Sequence, residues 1–294
     1  ENQPTLILGC EEPELYQHPP QARHLARVLR RTAKDGAQVL ITTHSPYFVD
    51  LDSLEGLRRV TRGEELECTQ TTFEKLTSDY NELIDDKTRK IDAVRAKLAP
   101  QLHPRAAEIF FADFIVLVEG VSDQAALEAF LNLSGSMDDF ISSGAAIIES
   151  GGKSAMLLLL LLAKAHKIPH FVVFDFDGDK KEAQERAKHE KDNKSLLSLL
   201  NQSAQELFPE NGLRSDRFVG WPHNLECALA EDFGDNKEEC LEAGRLRVGH
   251  LKGAKSPIFV SASIEKAFEL KVPLTNLADL AQRVLSKAQQ SRRG

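Results

Sequence analysis

The sequence lacks several features that would place a protein in a special class. Its longest apolar run, centred on the leucines at 157–162, is far shorter than the roughly 18 residues that span a bilayer, so we expect no membrane helix. No basic segment followed by an apolar stretch opens the chain, and we therefore expect no secretory signal. The four cysteines form no C-x-x-C pair, which argues against a zinc finger or a disulfide framework and favours the reducing cytoplasm.

Positive charge is also scarce. Lys and Arg number 37 against 45 Asp and Glu, which leaves a net charge of -8 over 294 residues. This balance excludes a protein that coats nucleic acid through its overall charge. A nucleic-acid site in this chain must therefore be local, for example one bridged by metal ions. The length suggests about two domains.

Hydrophobic periodicity divides the chain into three stretches. Residues 1–56 predict a strand, a helix and a strand, and residues 57–108 predict a charged connector with a short strand pair and one long helix, Phe73–Leu98, before Pro100. Residues 109–294 alternate apolar strands with helices, beginning with strands at Phe114–Val118, Ala145–Ile148 and His170–Phe174. Nearly continuous apolar strands separated by helices predict an α/β fold, a Rossmann-type parallel sheet flanked by helices.

Acidic residues follow two of these strands, where the reactive crevice of an open parallel sheet lies. Glu119 directly follows the first strand and Asp123 opens the next helix, whereas Asp175, Asp177 and Asp179 alternate after the third strand. Adjacent strands lie about 4.8 Å apart, so Glu119 and Asp175 converge if these strands are neighbours. Crowded carboxylates resist ionisation unless a cation compensates them, and their hard oxygens suit Mg²⁺ or Mn²⁺.

A plainer interpretation of the same acids remains open. Asp177 and Asp179 could form a turn around Gly178, while Glu119 caps a strand end or is solvated. The metal site is favoured because Glu119 and the Asp175-x-Asp177 pair each follow an apolar strand of the same strand and helix unit.

The segment Gly152-Lys153-Ser154 looks like the end of a phosphate-binding P-loop. That motif, G-x-x-x-x-G-K-[ST], requires glycine at position 147, where this chain has Ile147. We instead expect Gly151 and Gly152 to form a tight turn from strand to helix. Lys153 then lies near a phosphate at the helix N-terminus or is an exposed residue without a function, and the sequence leaves both open.

These motifs resemble a known domain. Val118-Glu119-Gly120 after a strand, a glycine after the second strand and Asp175-x-Asp177 after the third resemble a Toprim domain, over about residues 112–226. Toprim domains occur in topoisomerases, primases and some nucleases. The resemblance implies that this part of the chain binds divalent metal and acts on phosphodiesters.

A second constellation lies at the N-terminus. Glu11 and Glu12 follow one predicted strand, and His44 follows the next. The pattern resembles the Walker B segment, D-loop and H-loop of ABC-type ATPases, which implies that Glu11 and Glu12 occupy metal and base positions and that His44 is the switch histidine. Taken alone, the acids could begin a helix and the histidine could simply end a strand. No G-x-x-x-x-G-K-[ST] motif is present, so we expect the chain to be the C-terminal part of a longer ATPase that cannot hydrolyse ATP alone.

An ABC-type ATPase half followed by a Toprim domain resembles the OLD (overcoming lysogenization defect) family of ATP-linked nucleases in bacteria and phages. The resemblance implies a DNA endonuclease that uses two Mg²⁺ or Mn²⁺ ions, with ATP as a cofactor of the full-length protein and DNA as its partner. A homodimer through the ATPase part or another surface stays open, as does the biological target. The implied metal ligands are Glu119, Asp123, Asp175, Asp177 and Glu226.

The family also implies a lysine near the C-terminal end that neutralises charge on the phosphate. Lys255 is the first choice and Lys252 the second, although either could be an ordinary surface lysine. Glu226 could likewise be a solvated residue at a helix start. The basic residues at 180, 181, 186, 188, 191 and 194 could contact a DNA backbone, but the interleaved glutamates favour a solvated helix face.

Other functions fit less well. A topoisomerase needs a tyrosine nucleophile, and Tyr16, Tyr47 and Tyr80 all precede the Toprim-like stretch. A primase would need template and nucleotide sites that the sequence does not reveal. The main alternative is a non-catalytic effector or assembly module in which the acids bind a structural metal.

Overall fold

The computed structural model of the chain describes residues 6–62, 65–203, 206–249 and 256–293. Its N-terminal part is a parallel strand pair covered on one face by a helix, namely β1 (Ile7–Glu11), α1 (Pro19–Lys34) and β2 (Gln38–Thr42). Ala22, Ala26 and Leu29 of α1 form a small core with the inward side chains of both strands. The strand, helix and strand predicted for this region are confirmed, with shifts of a few residues at their ends.

The connector contains the antiparallel strands β3 (Arg59–Arg62) and β4 (Leu66–Thr69), then the helices α2 (Phe73–Leu83) and α3 (Ile91–Leu98). The prediction of one long helix is wrong, because a polar turn separates α2 from α3. Asp85 adopts a left-handed φ of 52°. The Asp86 carboxylate accepts a hydrogen bond from the Thr88 amide at 3.0 Å, which replaces the helical backbone bonding.

The rest of the chain builds one mixed sheet between two helical layers. The strands run in the order β6-β5-β7-β9-β8, and all neighbours are parallel except β8 and β9. Its elements are β5 (Phe114–Val118), α4 (Val121–Leu133), α5 (Met137–Ser142), β6 (Ala145–Glu149), α6 (Lys153–Ala165), β7 (His170–Asp175), α7 (Ala183–Leu199), β8 (Leu213–Arg214), β9 (Phe218–Trp221), α8 (Leu225–Phe233), α9 (Lys237–Arg247), α10 (Pro257–Glu269) and α11 (Thr275–Arg293).

Strand β5 shows why this sequence forms a covered sheet. All five of its residues are buried, and they alternate between two cores. Ile115 and Leu117 pack in the core that contains α2, α3 and α6, whereas Val116 and Val118 pack in the core that contains α4, α8, α10 and α11. A strand buried on both faces needs apolar side chains at every position, which accounts for the continuous apolar run.

Helix α6 is covered on both sides, by the sheet and by the connector helices. This explains its six consecutive leucines, because a helix that is apolar all round must be buried all round. Gly151 and Gly152 precede it with φ values of 70° and 109°, as expected for a tight turn from strand to helix. Among the described residues, no helix is both long enough and apolar enough to cross a membrane.

Candidate active site

The carboxyl ends of β5 and β7 bring two predicted site residues into contact. The two strands pair in parallel, with Val118 opposite Val173. Glu119 follows β5 directly, and its Oε2 accepts a hydrogen bond from the backbone amide of Asp175 at 3.2 Å. The first and third strands of the sequence pattern are therefore neighbours, and the acids that follow them lie together.

Asp123 joins this pair through the start of α4. Its Oδ2 accepts a hydrogen bond from the amide of Gly120 at 2.9 Å, which folds the side chain back over the end of β5. Asp123 is only 9% exposed, and its Oδ1 is buried without a hydrogen-bond partner. Burial, reinforced by the nearby charges of Glu119 and Glu226, raises the pKa of Asp123 to about 7.

The carboxylate of Asp175 lies in a similar environment, and its pKa is raised in the same direction as that of Asp123. Its Oδ1 is buried without a partner, and burial raises its pKa well above the usual range for an aspartate, with further contributions from Asp123 and Glu119. The pKa of Glu119 is also raised by burial, although the positive charge of Lys153 opposes this rise. Ionising all three acids together is therefore costly unless a cation compensates their charge.

Glu226 approaches the cluster from the opposite side of β7, on the first turn of α8. The side chain of Asn224 caps this helix by accepting a hydrogen bond from the amide of Cys227 at 2.9 Å. The charge of Glu226 contributes to the raised pKa values of both Asp123 and Asp175, so the helix brings it close to them. The predicted helix after the last parallel strand is confirmed.

Asp177 also lies at this edge, but its carboxylate has a cationic partner. Asp177 Oδ2 is 2.5 Å from the ammonium nitrogen of Lys153 and 3.0 Å from Nδ1 of His189. Lys153 is 3% exposed, so of the two alternatives that the sequence left open, that of an exposed residue is wrong. The helix turn after Gly152 points this side chain inward, under the end of β7.

The acids are close to one another without enclosing a common point. Within the described ranges, no three His, Cys, Asp or Glu side chains are arranged closely enough to hold a metal ion. Glu119 Oε2 and Asp123 Oδ2 each accept a hydrogen bond from a backbone amide. The buried oxygens Asp123 Oδ1 and Asp175 Oδ1 have no hydrogen-bond partner and are available to a cation, and anionic oxygen donors suit Mg²⁺ or Mn²⁺.

The structure describes the predicted basic segment but not the two predicted lysines. Lys252 and Lys255 lie outside the described residues. The basic segment spans the turn before α7 and the exposed first half of that helix. In this fully described stretch, the interleaved Glu182, Glu185 and Glu190 form no ion pair with its lysines.

The N-terminal constellation is also assembled. The β1 and β2 pairing aligns Glu11 with Thr42, and His44 Nε2 lies 3.2 Å from Glu12 Oε1. Glu14, which was not predicted as a site residue, holds the segment that carries His44. Its Oε1 accepts hydrogen bonds from the Thr43 hydroxyl at 2.6 Å and from the His44 amide at 2.9 Å. Its position at the end of the acidic segment Glu-Glu-Pro-Glu could have indicated that it belongs to this group.

Lys153 and Asn193 were also not assigned to the site from the sequence. Both are buried and bind the loop that carries Asp175 and Asp177. The available signal for Lys153 was its place directly after the Gly151-Gly152 turn. Asn193 had no comparable signal, because it lies within the polar helix α7.

Comparisons with known proteins match the same two regions of the chain. A family model described as an AAA ATPase domain matches residues 1–49. A second model, described as "Overcoming lysogenization defect protein-like, TOPRIM domain", matches residues 110–177. The first stretch contains the Glu11, Glu12 and His44 constellation, and the second contains Glu119, Asp123 and the Asp175-x-Asp177 pair.

Two curated relatives are similar to this chain over a large part of its length. The chain is 32% identical to the OLD nuclease of Thermus scotoductus over 199 residues, which cover 65% of this chain and 35% of the relative. It is 21% identical to the endonuclease GajA of Bacillus cereus over 194 residues, covering 60% of this chain and 27% of the relative. The chain thus spans about a third of the length of the curated relatives it matches.

Solved structures also match, among them the C-terminal region of the OLD protein of Xanthomonas campestris pv. campestris. The identity is 19%, and the match covers 64% of this chain and 86% of the solved chain, with a TM-score of 0.33.

Proposed function

Because the chain belongs to the overcoming lysogenization defect family, we propose that it carries the nuclease site of a divalent-metal-dependent DNA endonuclease. The observation that carries this proposal is the cluster of buried acids at the carboxyl ends of β5 and β7, where the Asp175 amide donates to Glu119. The names of the relatives, a nuclease and an endonuclease, agree with this chemistry. Hydrolysis of a phosphodiester is the reaction we assign to this cluster.

The acid cluster is suited to Mg²⁺ or Mn²⁺. Burial raises the pKa values of Glu119, Asp123 and Asp175, and repulsion by neighbouring carboxylates adds to the rise, so ionising all three is costly without a compensating charge. We propose that these three acids and Glu226 hold the cations. Asp177 belongs to the same edge of the sheet but is neutralised by Lys153.

Two divalent ions about 4 Å apart would supply charge stabilisation to the attacking and leaving oxygens of an in-line displacement. The role of the chain is to keep the acids oriented before DNA arrives. The Asp175 amide holds Glu119, and the Gly120 amide holds Asp123, so both carboxylates are fixed by backbone rather than by mobile side chains. In the overall reaction a water oxygen bonds to phosphorus, one ester P–O bond breaks, and the departing oxygen takes up a proton.

We propose that the N-terminal part contributes residues to an ATP site. The contact between His44 and Glu12 at the ends of two paired strands supports this assignment. Glu11, Glu12 and His44 would then act on a triphosphate whose phosphates are held by residues outside this stretch.

The proposal is tested with supercoiled plasmid, the 294-residue protein, and Mg²⁺, Mn²⁺ or Ca²⁺, with EDTA as the control. We expect nicked or linear product with Mg²⁺ or Mn²⁺ and none with EDTA. Asp175→Asn keeps the size of the side chain and should abolish cleavage while the protein stays folded. Asp138→Asn, an exposed aspartate on α5, is the matched control and should cleave like the wild type.

Two results would contradict the proposal. Full metal-dependent nicking by Asp175→Asn would reject the acid cluster as the site. A wild-type protein that binds Mn²⁺ but never cleaves single-stranded or duplex DNA would favour the alternative of a non-catalytic, metal-binding effector.

A further inference from the structure

Lys153 is a buried cation directly beneath the proposed nuclease site. Only 3% of the residue is exposed, although lysines are almost never fully buried unless they are paired. It occupies the first position of α6, after the Gly151-Gly152 turn, and its side chain runs toward the end of β7. The function proposed above does not use this residue.

All three protons of the Lys153 ammonium have an acceptor. The nitrogen lies 2.7 Å from the carbonyl oxygen of Asp175, 2.5 Å from Asp177 Oδ2 and 3.1 Å from Asn193 Oδ1. An ammonium carries three donors, so none is left for a ligand. Lys153 is therefore excluded as a direct phosphate contact, one of the two roles that the sequence left open.

The same acceptors belong to the loop that follows β7. Asn193, which is fully buried, uses its amide group to donate to the carbonyl oxygens of Phe176 at 3.0 Å and Leu207 at 2.9 Å. Lys153 and Asn193 together thus hold the carbonyls of two successive residues, Asp175 and Phe176. On its other side, the Asp175 amide is held by Glu119. The backbone of Asp175 is fixed at both ends.

Asp177 fits the role of a counterion. Its φ of 55° is left-handed, a conformation that non-glycine residues adopt at a cost, and the bond to Lys153 holds the residue there. Its Oδ2 is engaged by Lys153 at 2.5 Å and lies 3.0 Å from Nδ1 of His189.

We propose that Lys153 is a positioning residue of the nuclease site, which holds the Asp175 backbone so that its carboxylate faces Glu119 and Asp123, and that Asp177 is the counterion of Lys153 rather than a metal ligand. This inference rests on the proposed function. It separates the acids at this edge of the sheet into those that bind the metal ion and one, Asp177, that neutralises Lys153.

The two possible roles of Lys153 predict effects of opposite sign on metal affinity. A lysine that only adds positive charge repels a cation, so Lys153→Met would strengthen Mn²⁺ binding. A lysine that positions Asp175 supports the site from outside the ligand shell, and losing such support typically weakens metal binding about ten- to hundredfold. We expect the weakening.

The experiment measures Mn²⁺ binding by isothermal titration calorimetry without DNA, and nicking of supercoiled plasmid, with the folded state checked by circular dichroism. The variants are Lys153→Met, Asp177→Asn, their double variant and Asp175→Asn. Lys164→Met is the matched control, because Lys164 lies on the same helix about 16 Å farther along and donates to the Leu199 carbonyl. It should bind Mn²⁺ like the wild type.

For Lys153→Met we expect weaker Mn²⁺ binding and a lower kcat, with an unchanged KM for DNA, since Lys153 does not reach the substrate. Adding Asp177→Asn to this variant should cause no further loss of affinity, because Asp177 no longer has a lysine to neutralise. Asp177→Asn alone keeps an oxygen that can accept from Lys153, so it should weaken Mn²⁺ binding less than Asp175→Asn does.

Lys153→Met that folds and binds Mn²⁺ as well as the wild type, or better, would overturn the positioning role. A further tenfold loss when Asp177→Asn is added, or a loss in Asp177→Asn alone as large as in Asp175→Asn, would make Asp177 a ligand and overturn its assignment as counterion. The single Asp177→Asn comparison decides this even if Lys153→Met does not fold. Wild-type protein that binds no Mn²⁺ would instead overturn the proposed function, and the inference with it.

Discussion

Replacing Asp123 with asparagine should make the metal-free protein more stable at alkaline pH. Asp123 is buried, and its pKa is raised to about 7 by burial and by the charges of Glu119 and Glu226. An aspartate in an unfolded chain has a pKa of about 3.9, and a difference of this size corresponds to about 4 kcal/mol of unfolding free energy. This is the cost of ionising Asp123 in the folded protein when no cation is bound.

The direction of this pH dependence follows from which state, folded or unfolded, binds the Asp123 proton more tightly. The folded state holds the Asp123 proton more tightly than the unfolded state, so its stabilising effect is fully present below about pH 3.9. The stability it provides falls as the pH rises through this value and levels off once the pH exceeds about 7. Of the total, about 2 to 3 kcal/mol is lost between pH 5 and pH 8. The pKa values of Glu119 and Asp175 are also raised, so they add to the decline.

Asparagine cannot ionise, so Asp123→Asn should escape this loss. Its side-chain oxygen can still accept from the Gly120 amide, whereas the new amide group replaces a buried oxygen without a partner and costs about 1 to 3 kcal/mol at every pH. The difference in the free energy of unfolding, variant minus wild type, should therefore increase from pH 5 to pH 8. Adding Mn²⁺ at pH 8 should restore the free energy of unfolding that the wild type has lost, and it should raise that of the variant by a smaller amount.

Urea unfolding in EDTA at both pH values measures this difference, followed by fluorescence of Trp221, which packs in the core beside β7. Asp138→Asn, on the exposed side of α5, serves as the control and should track the wild type. If the free energy of unfolding of Asp123→Asn differs from that of the wild type by the same amount at pH 5 and pH 8, Asp123 does not titrate in this range, and the electrostatic account of the site is wrong.

Three further predictions concern the scaffold and the ATPase part. Asn224→Ala removes the cap of α8 and should lower the free energy of unfolding by about 0.5 to 2 kcal/mol in urea titrations, with reduced nicking because Glu226 lies in the first turn. Leu158→Ala should cost about 2 to 5 kcal/mol in the same assay, since Leu158 is fully buried between sheet and connector; a loss below about 1 kcal/mol would contradict this packing. The 294-residue protein should not hydrolyse ATP in a phosphate-release assay, and saturable turnover would refute this expectation.

Much of the fold could be predicted because the sheet is buried on both faces. Strand β5 was predicted with its observed ends, and β6 and β7 each extend only one residue farther than expected. The convergence of Glu119 and Asp175 followed from the general position of active sites in parallel sheets, given that their strands are neighbours. Local pattern and tertiary structure agree here, because apolar strands have no alternative to burial.

The role of Lys153 could not be predicted for the opposite reason. Its burial depends on acceptors at Asp175, Asp177 and Asn193, which lie 22, 24 and 40 residues away and meet only after the sheet and α7 have formed. The turn between α2 and α3 was missed for a local reason. The bond from the Thr88 amide to Asp86 competes with the helix, while the apolar spacing on both sides favours helix continuation.

The boundary predicted between connector and Toprim domain, at residue 109, stays a prediction, but the packing shows what such a boundary must respect. Leu76 of α2 and Val94 of α3 belong to the same core as the leucines of α6 and as Ile115 and Leu117 of β5. A Toprim unit without the connector would expose one side of α6 to water, and each exposed leucine would forgo about 1.5 to 3 kcal/mol of burial. Because α6 begins at Lys153, the packing that covers its leucines also supports the residue proposed to hold Asp175. The connector therefore packs as a structural layer against α6 and the sheet, with charged side chains on its outer surface and apolar side chains on its inner one.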